Sequence, residues 1–203
     1  MRGFWRPLAY AGTAMHRQIH DHAMPRWTLL PYARGDAAMP RAQAWLAREF
    51  GGDAGDYAFE RDAHGRPHLH RAGLDCNWSH SGAHLLVAAA SGFHVGTDIE
   101  SIRPRGNALA LARRFFADEE TAWLSQRADV EFDFLRLWCA KEAVLKAHGR
   151  GLAFGLHRLA FEDSEHGLFL ARCDDELGDP RDWRLRDLAP APGTLAALAW
   201  CKG

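Results

Sequence analysis

Three acids and two lysines stand at spacings that could support phosphoryl chemistry. The first group is the hexapeptide Val95-Gly96-Thr97-Asp98-Ile99-Glu100. In an extended strand, residues two apart share a face, so Gly96, Asp98 and Glu100 line one side. Val95, Thr97 and Ile99 line the other side, which reads as core. Adjacent carboxylates repel unless a cation or basic group lies between them. Hard oxygen donors of this kind suit magnesium, which keeps water and takes substrate phosphate oxygens. The same hexapeptide also fits a plain strand end carrying two solvated acids.

The second group lies in Phe134-Leu-Arg-Leu-Trp-Cys-Ala-Lys-Glu-Ala-Val-Leu-Lys146. At helical spacing Phe134, Leu137, Trp138 and Leu145 form one apolar stripe. Lys141 falls within that stripe, where an unpaired ammonium is costly. It must therefore snorkel to solvent, find an anion or line a cavity. Glu142 and Lys146 are four apart on the flank. An ordinary surface ion pair accounts for those two but not for Lys141. A third segment, Cys76-Asn-Trp-Ser-His-Ser-Gly82, gathers hydroxyls, an amide and an imidazole that can hydrogen-bond phosphates. It reads equally well as a polar turn entering a strand.

These groups need elements to position them. Trp27-Thr-Leu-Leu30 opens a strand, and residues 41–50 read as a helix behind Pro40, with Ala42, Trp45, Leu46 and Glu49 at helical spacing and Gly51-Gly52 as the stop. Residues 57–61 alternate as a short strand before a turn at 62–67. His84–Ala90 is a buried strand, and Ser91-Gly92 joins it to a second strand, Phe93–Glu100, so the pair reads as a hairpin. Helices are expected near 107–116, 118–127 and 131–148. Strands follow near 155–162, 167–173, 183–188 and 194–201.

The bulk composition narrows the function classes. The chain has 203 residues, enough for one large domain or two small ones, with 47% hydrophobic and 25% charged residues. A net charge of −1 gives no electrostatic case for nucleic acid as the main partner. Cys76, Cys139, Cys173 and Cys201 form no CxxC pair and read as reduced thiols of a cytoplasmic protein. The longest apolar run, Leu85–Ala90, is too short to span a bilayer, so no membrane partner is expected. Arg2 and Arg6 are followed by no clean apolar run, and no signal peptide is read there. The clusters His16, His20, His22 and His64, His68, His70 admit a zinc site. Without matched cysteine or carboxylate spacing, they read better as surface histidines.

Taken in order, several segments resemble the Sfp-type 4′-phosphopantetheinyl transferases. They are Gly65-Arg66-Pro67, Asn77-Trp-Ser-His-Ser81, Gly96-Thr-Asp-Ile-Glu100, Arg114-Phe-Phe with Glu119-Glu120, and Trp138-Cys-Ala-Lys-Glu-Ala-Val-Leu-Lys146 with Gly149 and Gly151. Each is weak alone; the ordered set, across roughly residues 57–152, is specific. Residues 1–25 show no firm periodicity and read as a loose extension, and helix-then-strands occurs twice, with the break near residue 101. The resemblance implies an α+β fold of two similar halves about a pseudo-twofold axis, 1–101 and 102–203, in agreement with that break. The active site would lie in the cleft between the halves. A monomer would suffice, although shorter relatives assemble the cleft from separate subunits.

The resemblance also implies roles. Asp98, Glu100 and Glu142 would hold Mg2+ against the coenzyme A pyrophosphate. Lys146 would neutralise phosphate charge, and Lys141 would do the same or hold the carboxylates. His80 and Ser79 would contact the phosphates, Gly65, Arg66 and Pro67 would pass the nucleotide, and Arg41 is a further phosphate candidate. A serine of an apo acyl or peptidyl carrier protein would attack the β-phosphorus and release 3′,5′-ADP. Glu142, directly or through a water, would take the serine proton, with Asp98 and Lys146 completing the catalytic set. Arg113, Arg114 and the flank of Phe115 and Phe116 would dock the carrier, at least one of the two rings being core. The chain departs from the family pattern at Thr97, usually aliphatic, at Arg66, usually lysine, and at Trp78, usually smaller. Two other readings use the same residues: a magnesium-dependent nucleotide pyrophosphate hydrolase, and a non-catalytic module that binds a carrier protein or coenzyme A.

Overall fold

The structure is a computed structural model that describes residues 24–104 and 106–203. The first histidine cluster and nearly all of the expected loose extension lie outside the described residues. Ten strands and four α-helices are described. They run β1 (Arg26–Pro31), α1 (Ala38–Phe50), β2 (Phe59–Arg61), β3 (Pro67–Leu69), β4 (Leu74–Ser81), β5 (His84–Ser91) and β6 (Phe93–Ser101). Then follow α2 (Ala108–Phe115), α3 (Asp118–Leu124), α4 (Val130–His148), β7 (Leu159–Ser164), β8 (Gly167–Cys173), β9 (Arg184–Leu188) and β10 (Thr194–Lys202). This is an α+β arrangement.

Two three-stranded antiparallel sheets, β1-β5-β4 and β6-β10-β9, form its centre. The alternation of β5 decides how they stack. Leu85, Val87 and Ala89 face α1 through Ala42, Trp45 and Leu46. Leu86, Ala88 and Ala90 face the second sheet, against Val95, Ile99, Ala196, Leu198 and Trp200. The far side of β10, with Leu195, Ala197 and Ala199, is covered by α4. The order of layers is therefore helix, sheet, sheet, helix, with strands buried on both faces and hence continuously apolar.

Two expectations fail here. β5 and β6 are not a hairpin: β5 pairs with β1 and β4, while β6 pairs with β10. The tight turn at Gly92 carries the chain from one sheet to the other. The polar stretch from Cys76 is not a turn but most of β4, and the true hairpin is β4–β5, closed at Gly82 with φ +59°.

β4 reads as polar because its side chains form a joint. Asp75 Oδ2 accepts from Val95 N at 2.7 Å, Asn77 Oδ1 from Thr97 N at 3.1 Å, and Ser81 Oγ from Ser101 N at 2.9 Å. β4 thus lies parallel to β6, with side chains standing in for one half of a backbone ladder. A pattern search for apolar alternation cannot see such a strand.

The helix α4 is the central strut. Asp129 caps its start by accepting from Phe132 N, and Gly149, with φ +92°, ends it. Twelve of its nineteen residues are buried, including Lys141 and Glu142. The strand expected near 155–162 is shortened: residues 152–158 form two 3₁₀ turns, and β7 begins only at Leu159.

Candidate active site

The site is built where α4 crosses β6. Gly96 makes the crossing possible: a Cβ there would lie 2.0 Å from Ala143 O and 2.4 Å from Ala147 N. With no side chain at 96, the helix backbone rests on the strand, and Glu142 and Lys146 reach the neighbourhood of Asp98.

Lys146 Nζ lies 2.6 Å from Asp98 Oδ1. Ser79 Oγ donates to the same oxygen at 2.8 Å and accepts from Lys146 Nζ at 3.1 Å. Asp98 is buried, and its other oxygen, Oδ2, has no hydrogen-bond partner among the described residues. A buried carboxylate oxygen left unpaired is costly. Glu142 is also buried, and its carboxyl is pushed up to about 7. Burial is the main cause, the charges of Asp98 and Glu100 add to it, and Lys146 opposes it.

These residues fit a divalent cation. An orphaned oxygen on Asp98 and a second acid, held back from ionising by burial and by neighbouring negative charge, would both be satisfied by one positive ion. Among the described residues no three His, Cys, Asp or Glu side chains stand as a ready-made ion cage. Lys146 instead supplies the positive charge at Asp98.

Beside this cluster opens a cavity of about 370 Å³. Its walls come from the 61–67 turn (Arg61, His64, Gly65, Arg66, Pro67), from β4 (Asn77, Trp78, Ser79, His80) and from the end of α4 (Leu145, Lys146, with Gly149 and Gly151 beyond). Arg61 and Lys146 give it a positive lining suited to phosphates, the charge of Arg66 being met by Asp75, and His64 and His80 add imidazoles. Segments far apart in sequence thus meet around one cavity. His80 is held in place by stacking on Tyr32, with centroids 4.5 Å apart. Trp78 packs edge-on to Phe59 at 5.1 Å.

The structure corrects Lys141 as a phosphate ligand. Its side chain is fully buried on the other side of α4, 2.7 Å from Glu120 Oε2. It also donates to Leu156 O at 2.9 Å and to Leu159 O. Of the three ways out of the stripe, it takes the anion. Burial pushes the ammonium down to about 8, with Glu120 pulling it back. Arg41 lies outside the cavity lining, bonded to Asp36 at 2.5 Å and to Pro31 O at 3.0 Å. His70 pairs with Glu60 at 3.1 Å, and no metal-binding group forms around His64, His68 and His70. Phe116 is core, stacked on Phe134, whereas Phe115 lies half-buried under Arg114.

Arg61, His64 and Asn77 were not anticipated as individual contributors, nor was Glu120 as the partner of Lys141. For Asn77 the signal was present in its motif. Glu120 stood in a motif too, at the acid-rich start of α3, where it accepts from Ala117 N at 3.1 Å, but nothing there named Lys141 as its partner.

Helix, seam and cavity thus set buried carboxylates of an α+β protein beside a cavity lined by basic side chains. Residues 94–199 match the family model of the 4′-phosphopantetheinyl transferase superfamily, and the chain belongs to that family. It is 40% identical over 120 residues to the 4′-phosphopantetheinyl transferase psf-1 of Bacillus pumilus, covering 58% of this chain and 50% of that protein. It is 32% identical over 160 residues to HetI of a Nostoc species, covering 76% and 65%. To Sfp of Bacillus subtilis it is 32% identical over 114 residues, covering 55% and 50%. The chain thus spans between half and two thirds of the length of these relatives. Among the described residues no helix is long and apolar enough to cross a membrane.

Proposed function

We propose that the chain transfers the 4′-phosphopantetheine arm of coenzyme A to a serine of an apo acyl or peptidyl carrier protein. The observation that carries this reading is the junction of a basic cavity with a buried acid cluster through one residue, Lys146, which lines the first and pairs with the second. The serine oxygen bonds to the β-phosphorus, the bond from that phosphorus to the bridging oxygen breaks, and 3′,5′-ADP leaves with that oxygen. Glu142, directly or through a water that it orients, accepts the serine proton. Lys146 and Arg61 receive phosphate charge in the cavity. Asp98, with Glu100 and Glu142, would hold Mg2+, which when bound neutralises the pyrophosphate and favours in-line displacement.

The cavity draws its walls from both halves of one chain, which supports a monomer. Four unpaired cysteines support a cytoplasmic setting.

Intact-mass spectrometry of apo carrier proteins incubated with the full chain, coenzyme A and magnesium is the direct test. One added arm on serine is expected. Asp98→Ala and Glu142→Ala should each lower the rate by roughly a hundredfold or more while far-UV dichroism is unchanged. Equal release of 3′,5′-ADP with and without a carrier would identify a hydrolase instead. Tight coenzyme A binding with neither reaction would identify a binding module.

A further inference from the structure

Arg66 is the most heavily engaged residue of the cavity wall. Its Nε donates to Lys146 O at 2.8 Å, and its Nη2 donates to Asp75 Oδ2 at 2.6 Å and to Val95 O at 3.3 Å. Both side chains of the Arg66–Asp75 pair are about nine-tenths buried, at 9% and 11% exposure. The same Asp75 oxygen accepts Val95 N, so one ion pair joins the 61–67 turn, β4, β6 and α4.

The carbonyl of Lys146 belongs to the last turn of α4, where main-chain oxygens lack helical donors and a cation is favoured. Arg66 supplies that donor at the very residue whose ammonium meets Asp98. The turn at Gly149 packs on the stem of Arg66: a Cβ there would lie 3.3 Å from Arg66 Cδ. Lysine, with one ammonium on a flexible stem, cannot reproduce this forked reach to a carbonyl and a carboxylate together.

We propose that Arg66, paired with Asp75, is a positioning residue that clamps the last turn of α4 and so holds Lys146 over Asp98. The part that concerns coenzyme A rests on the transferase reading; the placement of Lys146 does not.

The test uses the chain's three lysines, Lys141, Lys146 and Lys202. Brief acetylation of the ligand-free protein, read by peptide mass spectrometry, compares Lys146 with exposed Lys202, while fully buried Lys141 reports an intact fold. In R66A the ratio of Lys146 to Lys202 labelling should rise several-fold with Lys141 still protected. R66K should follow R66A despite keeping the charge, and it decides the matter if R66A exposes Lys141. Parent-like labelling of Lys146 in R66K would overturn the proposal.

Calorimetric titration with coenzyme A supplies the second arm. R66A should weaken binding about tenfold, as losing one charge-assisted contact would, yet add nothing in a K146A background. Fully additive losses would overturn positioning and make Arg66 a direct ligand contact. Failure of the parent chain to bind coenzyme A would count against the transferase reading, and the labelling result would still decide the role of Arg66.

Discussion

Two ammonium groups five residues apart on one helix have opposite fates. Lys141 is sealed between α3, α4 and β7, with its partner Glu120 equally buried and two main-chain carbonyls completing its shell. Lys146 keeps 26% of its side chain exposed, lines the cavity and shares Asp98 with Ser79. Five residues turn a helix by about 140°, so one lysine faces the core shared with α3 and β7 and the other faces the junction of the two sheets. Burial with full satisfaction makes a structural tie. Partial exposure beside an unsatisfied acid makes a group that can change partners. The same chemistry is a buried tie on one face of α4 and a part-exposed, cavity-lining group on the other.

The largest expected effect falls on the structural side. Lys141→Met leaves Glu120 buried without its cation and two carbonyls without a donor. It should cost about 3–5 kcal/mol in urea unfolding, with much of the loss recovered in K141M/E120Q. A stable K141M protein that fails to bind coenzyme A would break the contrast.

Glu142 gives the next effect, and its sign is definite. Its folded value of about 7 lies above the ordinary 4.5, so between those values the folded chain binds a proton that the unfolded chain has released. Stability therefore falls as pH rises through that window, and above it Glu142 costs of order 3 kcal/mol. Glu142→Gln should be more stable than the parent near about pH 8 and no more stable near about pH 4. A difference that does not change with pH would place Glu142 outside the acid cluster.

Gly96→Ala should cost about 1–3 kcal/mol, because the helix backbone must retreat from β6. The retreat takes Lys146 from Asp98 but leaves Lys141 on Glu120. Coenzyme A affinity should fall further than stability alone explains, and unchanged affinity would show that the crossing does not set the site. The smallest loss of stability, about 1 kcal/mol, is expected for Lys146→Ala, since solvent can reach the vacated place. Its coenzyme A affinity should fall about tenfold, which calorimetry would measure.

How much of this was legible beforehand follows from the range of each interaction. Helix α4 was readable from its apolar stripe and terminal glycines. The difficulty with Lys141 was readable too, because burying a charge is a local contradiction that the sequence displays. Its resolution was not, since Glu120 comes from another helix and no spacing rule connects the two. β4 was misread because its polar face bonds to β6 rather than to water. β5 and β6 were misread as a hairpin because a tight turn between two apolar strands looks the same whether the strands pair or part.

By itself, then, the sequence determined which residues carry charge, which strand and helix bear the acids, and which family pattern they follow. All of these depend on residue type and on periods of two and 3.6. Only the tertiary structure decided that Gly96 lets helix and strand touch, that Arg66 spends its guanidinium on Lys146 O and Asp75, and that Lys141 turns away from the cavity. Each of those depends on the separation of groups distant in the chain, which packing sets and local propensity does not encode.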